Sequence, residues 1–220
     1  MLEFIIQKFI FHAMKSHFLA QLIFKINFKP IKNGTYYFDM TTLVLTKLLS
    51  KEINREDRIL DMGTGSFSII GLTLWKKYGC HVVSSDINPK IISMAQENIE
   101  YNQAPIEVKH SNLFENIDEN FDIVIFNPPY VPTKKGSISN LSKEFQSQWD
   151  GGDDGSNIVR QFLEKLGQIE GSHTAYLGIN HFYLPKEMVL PIIETQQTLR
   201  LRKIHNHSFF PIDVFVIDKK

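Results

Sequence analysis

Cysteine is nearly missing from this sequence. Cys80 is the only one in 220 residues, which excludes an intramolecular disulfide, fits a reducing compartment and leaves a small buried side chain as its simplest role. An excess of either charge is missing too, since 24 lysines and arginines balance 24 aspartates and glutamates. No global field draws such a chain to nucleic acid or to an anionic membrane, although local patches stay open. Long apolar runs are absent as well. Residues 1–30 are rich in Phe, Ile and Leu, but Lys8, Lys15, Lys25 and Lys29 interrupt them, so nothing approaches the roughly 18–20 residues that span a bilayer. No small-residue cleavage site follows, which argues against a signal peptide. There is no internal repeat and no low-complexity linker. These absences point to a cytoplasmic globular protein.

A hydrophobic content of 43% is enough for one substantial core. The expected organisation is an amino-terminal helical appendage over 1–34 and a main domain over 35–220. In the appendage, Ile5, Phe9, Phe18 and Leu22 can share one face of a helix or helix pair. That face would dock on the main domain, on a partner subunit or second copy, or on a membrane surface; docking within the chain is the plainest expectation.

From Arg58 onward, short β-rich runs alternate with helical stretches. Strands are expected at 58–62, 81–86, 106–110, 121–127, 173–179, 199–207 and 213–219, with helices between most of them. The fold class is therefore α/β, a mostly parallel seven-stranded sheet with helices on both faces. The last two runs have no helix-length connection, so "SFFPI" should turn them into an antiparallel pair at the sheet edge.

Ligands bind such sheets at the carboxyl ends of the strands. The first strand ends in "LDMGTGSF", where Asp61, Gly63, Thr64 and Gly65 make a tight turn into a helix. The second ends in "SSDINP". Asp86, with Ile87 beside it, lies 25 residues after Asp61, where a carboxylate can accept both hydroxyls of a ribose. Asn88 before Pro89 is the better helix cap. The combination favours an adenosine-type ligand. An NAD-binding Rossmann enzyme competes, but the antiparallel end of the sheet and the missing third glycine count against it.

The third strand leads to "SNLFE" and the fourth to "NPPY". Taken together, these four strand ends resemble those of class I S-adenosylmethionine-dependent methyltransferases, a Rossmann-like fold, over roughly residues 35 to 220. The resemblance implies that the turn from Asp61 to Gly65 holds the methionine end of S-adenosylmethionine, Asp86 its ribose, and the loop at Asn112 and Leu113 its adenine.

Asn127-Pro128-Pro129-Tyr130 has a chemical rationale of its own. The nitrogen of an amide or exocyclic amine is a poor nucleophile, because its lone pair is delocalised. The oxygen of Asn127 and the carbonyl of Pro128 can accept both its N–H bonds and aim it, while the ring of Tyr130 stacks on the flat group. Proline fixes that geometry and adds no competing donor. The motif resembles that of adenine amino-methyltransferases and of the HemK/PrmC family, which methylates a glutamine of peptide-chain release factors. The following "WDGGDDGS" favours HemK/PrmC, with Ser156 as a helix cap.

Three departures from that family carry expectations. Phe67 replaces the third glycine, so its ring should crowd the cofactor or push the first helix aside. The amino-terminal region is shorter than the family's helical domain. "GTYYFDMTTLVL" replaces the segment that closes over the cofactor, with Tyr37 and Thr42 as its candidates. Elsewhere, His205 and His207 share a strand face without a third ligand, so no metal is assigned. Lys134 and Lys135 read as a solvated loop, and Asp122 as a cap on its strand. The expected activity is N-methylation of a protein glutamine; a nucleobase amine in RNA or DNA, or a non-catalytic partner-binding protein, are the alternatives.

Overall fold

The computed structural model describes residues 14–30, 37–138, 141, 143 and 146–219. Ile5 and Phe9 lie outside them. Runs rich in Val and Ile become strands because branched side chains pack well on a pleated surface. They are β1 (Arg58–Met62), β2 (His81–Asp86), β3 (Glu107–His110), β4 (Ile123–Phe126), β5 (Thr174–Asn180), β6 (Leu199–Asn206) and β7 (Ile212–Lys219). The spatial order is β3-β2-β1-β4-β5-β7-β6. Pairings are parallel from β3 to β5, and β7 is antiparallel to both its neighbours. The hairpin through 207–211 forms as expected, but β7 is interior and only β6 takes the edge. Burial explains the order: β7 is buried along most of its length, whereas β6 has several exposed positions.

Helices cover both faces. They are α1 (His17–Phe24), α2 (Met40–Leu49), α3 (Ile69–Tyr78), α4 (Pro89–Tyr101), α5 (Thr133–Ile138), α6 (Asn157–Gln168) and α7 (Lys186–Glu194). Alternation along the strands divides the core. Ile59, Ile123, Ile125 and Val214 face α1, α2 and α3, while Leu60, Val124, Leu177 and Phe215 face α6 and α7. Asn88 caps α4 by accepting from the Lys90 amide at 3.0 Å, and Asp122 accepts from the Arg58 amide at 2.8 Å, both as expected. Ser156 does occupy the cap position of α6, but its hydroxyl donates to Asp154 Oδ1 instead of accepting from the helix. Lys134 and Lys135 lie in α5 and not in a loop.

Two expectations about the amino-terminal half change. The face of α1 that docks is the opposite one: Ala20 and Phe24 are buried, while Phe18 and Leu22 are 71% and 63% exposed. After the left-handed turn at Lys25, Ile26 and Phe28 are also buried, and they draw that side of the helix inward. Phe67 turns its ring away from the glycine turn, towards Phe28 and Tyr37. It is 6% exposed, stacked on Tyr37 at 5.3 Å and edge-on to Phe28 at 5.4 Å. Its ring packs on Phe28, which follows α1, and on Tyr37, which precedes α2. Among the described residues no helix is long and apolar enough to cross a membrane.

Truncating that ring should leave a cavity between its two aromatic neighbours, Phe28 and Tyr37. Phe67→Ala is expected to lower unfolding stability by about 3–5 kcal/mol, read from urea titration. A loss below about 1 kcal/mol would show that the ring is not a packing anchor.

Candidate active site

Register brings the sequence motifs together. Met62 at the end of β1 lies beside Phe126 of β4 on one side and Ser85 of β2 on the other. The strand order reverses between β1 and β4, the point at which such sheets open a crevice. The glycine turn, Asp86 and Asn127 all leave the sheet there.

Asp61 organises the turn. It is 1% exposed, and its Oδ2 accepts from the Thr64 hydroxyl at 2.7 Å and from the Gly71 amide at 3.1 Å. The carboxylate thereby satisfies an amide in the first turn of α3, whose own cap residue Ser68 makes no side-chain cap bond. Gly63 has φ +63°, and a Cβ there would meet Phe126 at 2.9 Å, so only glycine lets β1 leave the sheet this close to β4. A Cβ on Gly65 would meet only Gln148 Nε2, at 3.9 Å, so backbone is open to a ligand there.

Asp86 Oδ1 accepts from the Asn88 amide at 3.0 Å, and Oδ2 faces the Gly65 amide at 3.4 Å. Burial raises its pKa. The exposed Ile87 offers its carbonyl to His110 Nε2 at 2.8 Å, which ties the ends of β2 and β3. Beyond β3, Leu113 takes the left-handed conformation with φ +54°. Ser111 holds that bend by donating to the Leu113 carbonyl at 2.8 Å and accepting from the Asn116 amide at 3.0 Å. Asn112 bonds Glu115.

The amide of Asn127 is fixed in one orientation. Its Nδ2 donates to Asp39 Oδ2 at 3.0 Å, Asp39 Oδ1 at 3.2 Å and Thr42 Oγ1 at 3.2 Å. A carboxylate accepts only from the nitrogen side, so the oxygen must point the other way. That oxygen is buried and has no hydrogen-bond partner among the described residues. An unmatched acceptor of this kind is costly in a folded protein unless a donor reaches it.

Tyr130 is more enclosed than a stacking platform. It is 8% exposed, its hydroxyl shares a 2.7 Å bond with Thr41, and its ring lies 6.4 Å from that of Tyr183. Burial, reinforced by Asp39, raises its pKa and keeps the phenol protonated. Pro128 is buried between Asn127 and this anchored ring. Thr42 therefore contacts the side chain of Asn127, while Tyr37 belongs to the aromatic cluster of Phe28 and Phe67.

The acidic glycine turn buttresses the same loop. The Val131 amide donates to the Trp149 carbonyl at 2.8 Å, and the Gly151 amide to the Val131 carbonyl at 2.9 Å. Gly155, at φ +85°, lies so close to Tyr130 that a Cβ would come within 2.4 Å of its carbonyl oxygen. Sequence reasoning overlooked Asp39. Its visible signal is a capping aspartate just before an apolar run: it accepts from the Thr42 amide at 2.7 Å at the start of α2. His205 and His207 are not part of this site; His207 Nδ1 accepts from the amides of Phe209 and Phe210 in the hairpin.

Comparison with known proteins bears on the family and the fold. The profile of the methyltransferase small domain matches residues 34–148. The chain belongs to that family. A Methanocaldococcus jannaschii protein named provisionally as a protein N5-glutamine methyltransferase is 34% identical over 125 residues, 57% of this chain and 61% of that protein. The release factor glutamine methyltransferase of Haemophilus influenzae is 25% identical over 162 residues, 69% of this chain and 55% of the relative. The chain thus spans about half to three fifths of the length of these curated relatives. Among solved structures, a methyltransferase from Pyrococcus furiosus has the same fold, with a TM-score of 0.67, 15% identity and 92% of each chain covered. A chain of the E. cuniculi Mtq2–Trm112 complex, responsible for methylation of the eRF1 translation termination factor, gives a TM-score of 0.56 at 23% identity, covering 84% of this chain and 97% of that one. The Rossmann-like methyltransferase fold expected from the strand ends is the fold observed.

Asp61 makes the stability of this site depend on pH. Burial raises its carboxyl from 3.8 to about 6, against the bonds from Thr64 and Gly71 and with help from Asp86. The folded value exceeds the unfolded one, so the contribution is fully present below 3.8 and is lost as pH rises through about 6. Relative to Asp61→Asn, the native protein should lose about 2.5 kcal/mol of stability between about pH 4 and pH 7, measured by urea titration at each pH. A difference that stays constant with pH would contradict this assignment.

Proposed function

We propose that this chain transfers a methyl group from S-adenosylmethionine to a planar NH2 nitrogen, the side-chain amide of a glutamine in a protein such as a peptide-chain release factor. The observation that carries the reading is the unpartnered Oδ1 of Asn127, held in place by Asp39 and Thr42 at the end of β4. The names of the relatives support a glutamine amide as the acceptor.

The residues present fit the cofactor. Open backbone at Gly65, the buried carboxylate of Asp86 and the loop at Asn112 and Leu113 line successive strand ends. In this reading Asp61, Gly63, Thr64 and Gly65 hold the methionine end, Asp86 and Ile87 the ribose, and Asn112 and Leu113 the adenine. When bound, S-adenosylmethionine supplies an electrophilic methyl on a positively charged sulfur. The chain supplies orientation. Asn127 Oδ1 and the Pro128 carbonyl accept the two N–H bonds of the amide and aim its nitrogen. Asp39 and Thr42 keep Asn127 from rotating, and Tyr130, locked to Thr41, fixes the wall behind it. Phe67 leaves the cofactor turn clear, which removes the reason to regard the site as decayed. Methyl transfer to an amide requires no strong general base, because the proton leaves after attack.

Purified protein with methyl-labelled S-adenosylmethionine and a methyl-poor cell extract should yield macromolecular label that protease destroys. Nuclease-sensitive label would overturn the glutamine reading in favour of a nucleobase amine. Asn127→Ala should reduce transfer by about a thousandfold while cofactor affinity stays within about twofold; loss of both would indicate a damaged fold. Asp39→Asn should lower turnover by about ten- to a hundredfold, since the amide it orients is then free to flip.

A further inference from the structure

Away from the catalytic edge, a groove of about 400 Å³ opens where the carboxyl ends of α1, α2 and α3 converge. Phe24, Leu43 and Leu74 form its apolar floor, and Lys25, Lys47, Lys76 and Lys77 its rim; among the described residues no carboxylate lines it. None of these lysines makes an ion pair among the described residues. Lysines at helix carboxyl ends complement the helix dipoles, which accounts for one at each end. It does not account for an apolar floor beneath them. Nor does it account for Thr73, whose hydroxyl is buried in the lining without a partner. The other polar groups here are satisfied: Thr46 donates to the Thr42 carbonyl, Ser50 to that of Lys47 and Tyr78 to that of Ser50.

The apolar surface extends beyond the groove. Ile23 lines it and is partly exposed, and Phe18 and Leu22 continue the strip along the outer face of α1. We propose that this surface, the lysine-rimmed groove with the outer face of α1, is the docking site for an acidic amphipathic helix of a partner protein. Shape and charge select that occupant. A small anion would leave the strip on α1 uncovered. A bilayer is flat and cannot enter a concave groove set between three helix ends. Nucleic acid would pair with the lysines but leave the apolar floor unmatched. A helix with apolar residues at i, i+3, i+4 and i+7 and carboxylates on its flanks matches both features. Asn127, Asp39 and Asp86 are not part of this surface, so its occupancy is separable from cofactor binding.

The test uses a fluorescent synthetic peptide of about four helical turns with that leucine pattern and glutamate elsewhere, beside a twin with lysine for each glutamate. Fluorescence anisotropy on the full chain should show the acidic peptide binding about tenfold or more tightly than its twin. The triple variant Lys47→Glu, Lys76→Glu, Lys77→Glu should weaken the acidic peptide by at least about tenfold. Phe18→Ser with Leu22→Ser, at exposed positions that leave charge unchanged, should weaken it as well. Cofactor affinity, measured by calorimetry, should be unchanged in both variants. Equal affinity for the two peptides, or no effect of the triple variant, would overturn the proposal. So would binding of phosphatidylglycerol vesicles or poly(U) that is lost in the triple variant while the acidic peptide fails to bind; a lipid or RNA surface would then take its place.

Discussion

Everything functional in this molecule depends on the parallel pairing of β1 with β4. That pairing sets Met62 beside Phe126, and it makes the glycine turn and the Asn127 loop leave the sheet side by side although 62 residues separate Asn127 from Gly65 in the chain. A parallel pair requires a crossover, and here the crossover also contains β2 and β3, which bring Asp86 and the loop at Leu113 to the same edge. Side chains alternate along a strand, so a slip of one residue would send Ile59 and Leu60 to the wrong faces of the sheet. The two hydrophobic layers therefore enforce the register that assembles the site.

Polar groups in the crevice are arranged so that little can move. Asp61 fastens the turn to α3, Asp39 and Thr42 fasten Asn127 to α2, and Tyr130 is fastened to Thr41 one residue along the same helix. Against that background the unmatched oxygen of Asn127 stands out. Its nitrogen is held by three bonds while its oxygen is left open, as is the buried hydroxyl of Ser85 at the end of β2.

Strand positions and the strand-end motifs were legible in the sequence because they rest on local signals: β-branched runs, glycine turns and the prolines after Asn127. The carboxyl limits moved by one residue at most, with β4 stopping at Phe126 because the prolines that follow Asn127 cannot donate to a ladder. What was not legible depends on contacts between distant segments. Phe67 reads as an intrusion into a glycine turn only until Phe28 and Tyr37 are placed around it. The choice between the two faces of α1 is decided by Ile26 and Phe28 after it, not by the helix itself. Asp39 has the signature of a helix cap and is one; its second bond spans 88 residues, and no local pattern announces it.

Helix α2 joins two parts of the molecule that have no other reason to move together. Its first residues, with the cap before them, grip the loop that carries Asn127, and its later residues form a wall of the lysine-rimmed groove. The helix has ten residues, a straight rod of about 15 Å, and contains neither proline nor glycine at which to bend. Its two ends are consequently one mechanical part, so the groove wall and the hydrogen bonds that hold Asn127 rest on a single rigid rod.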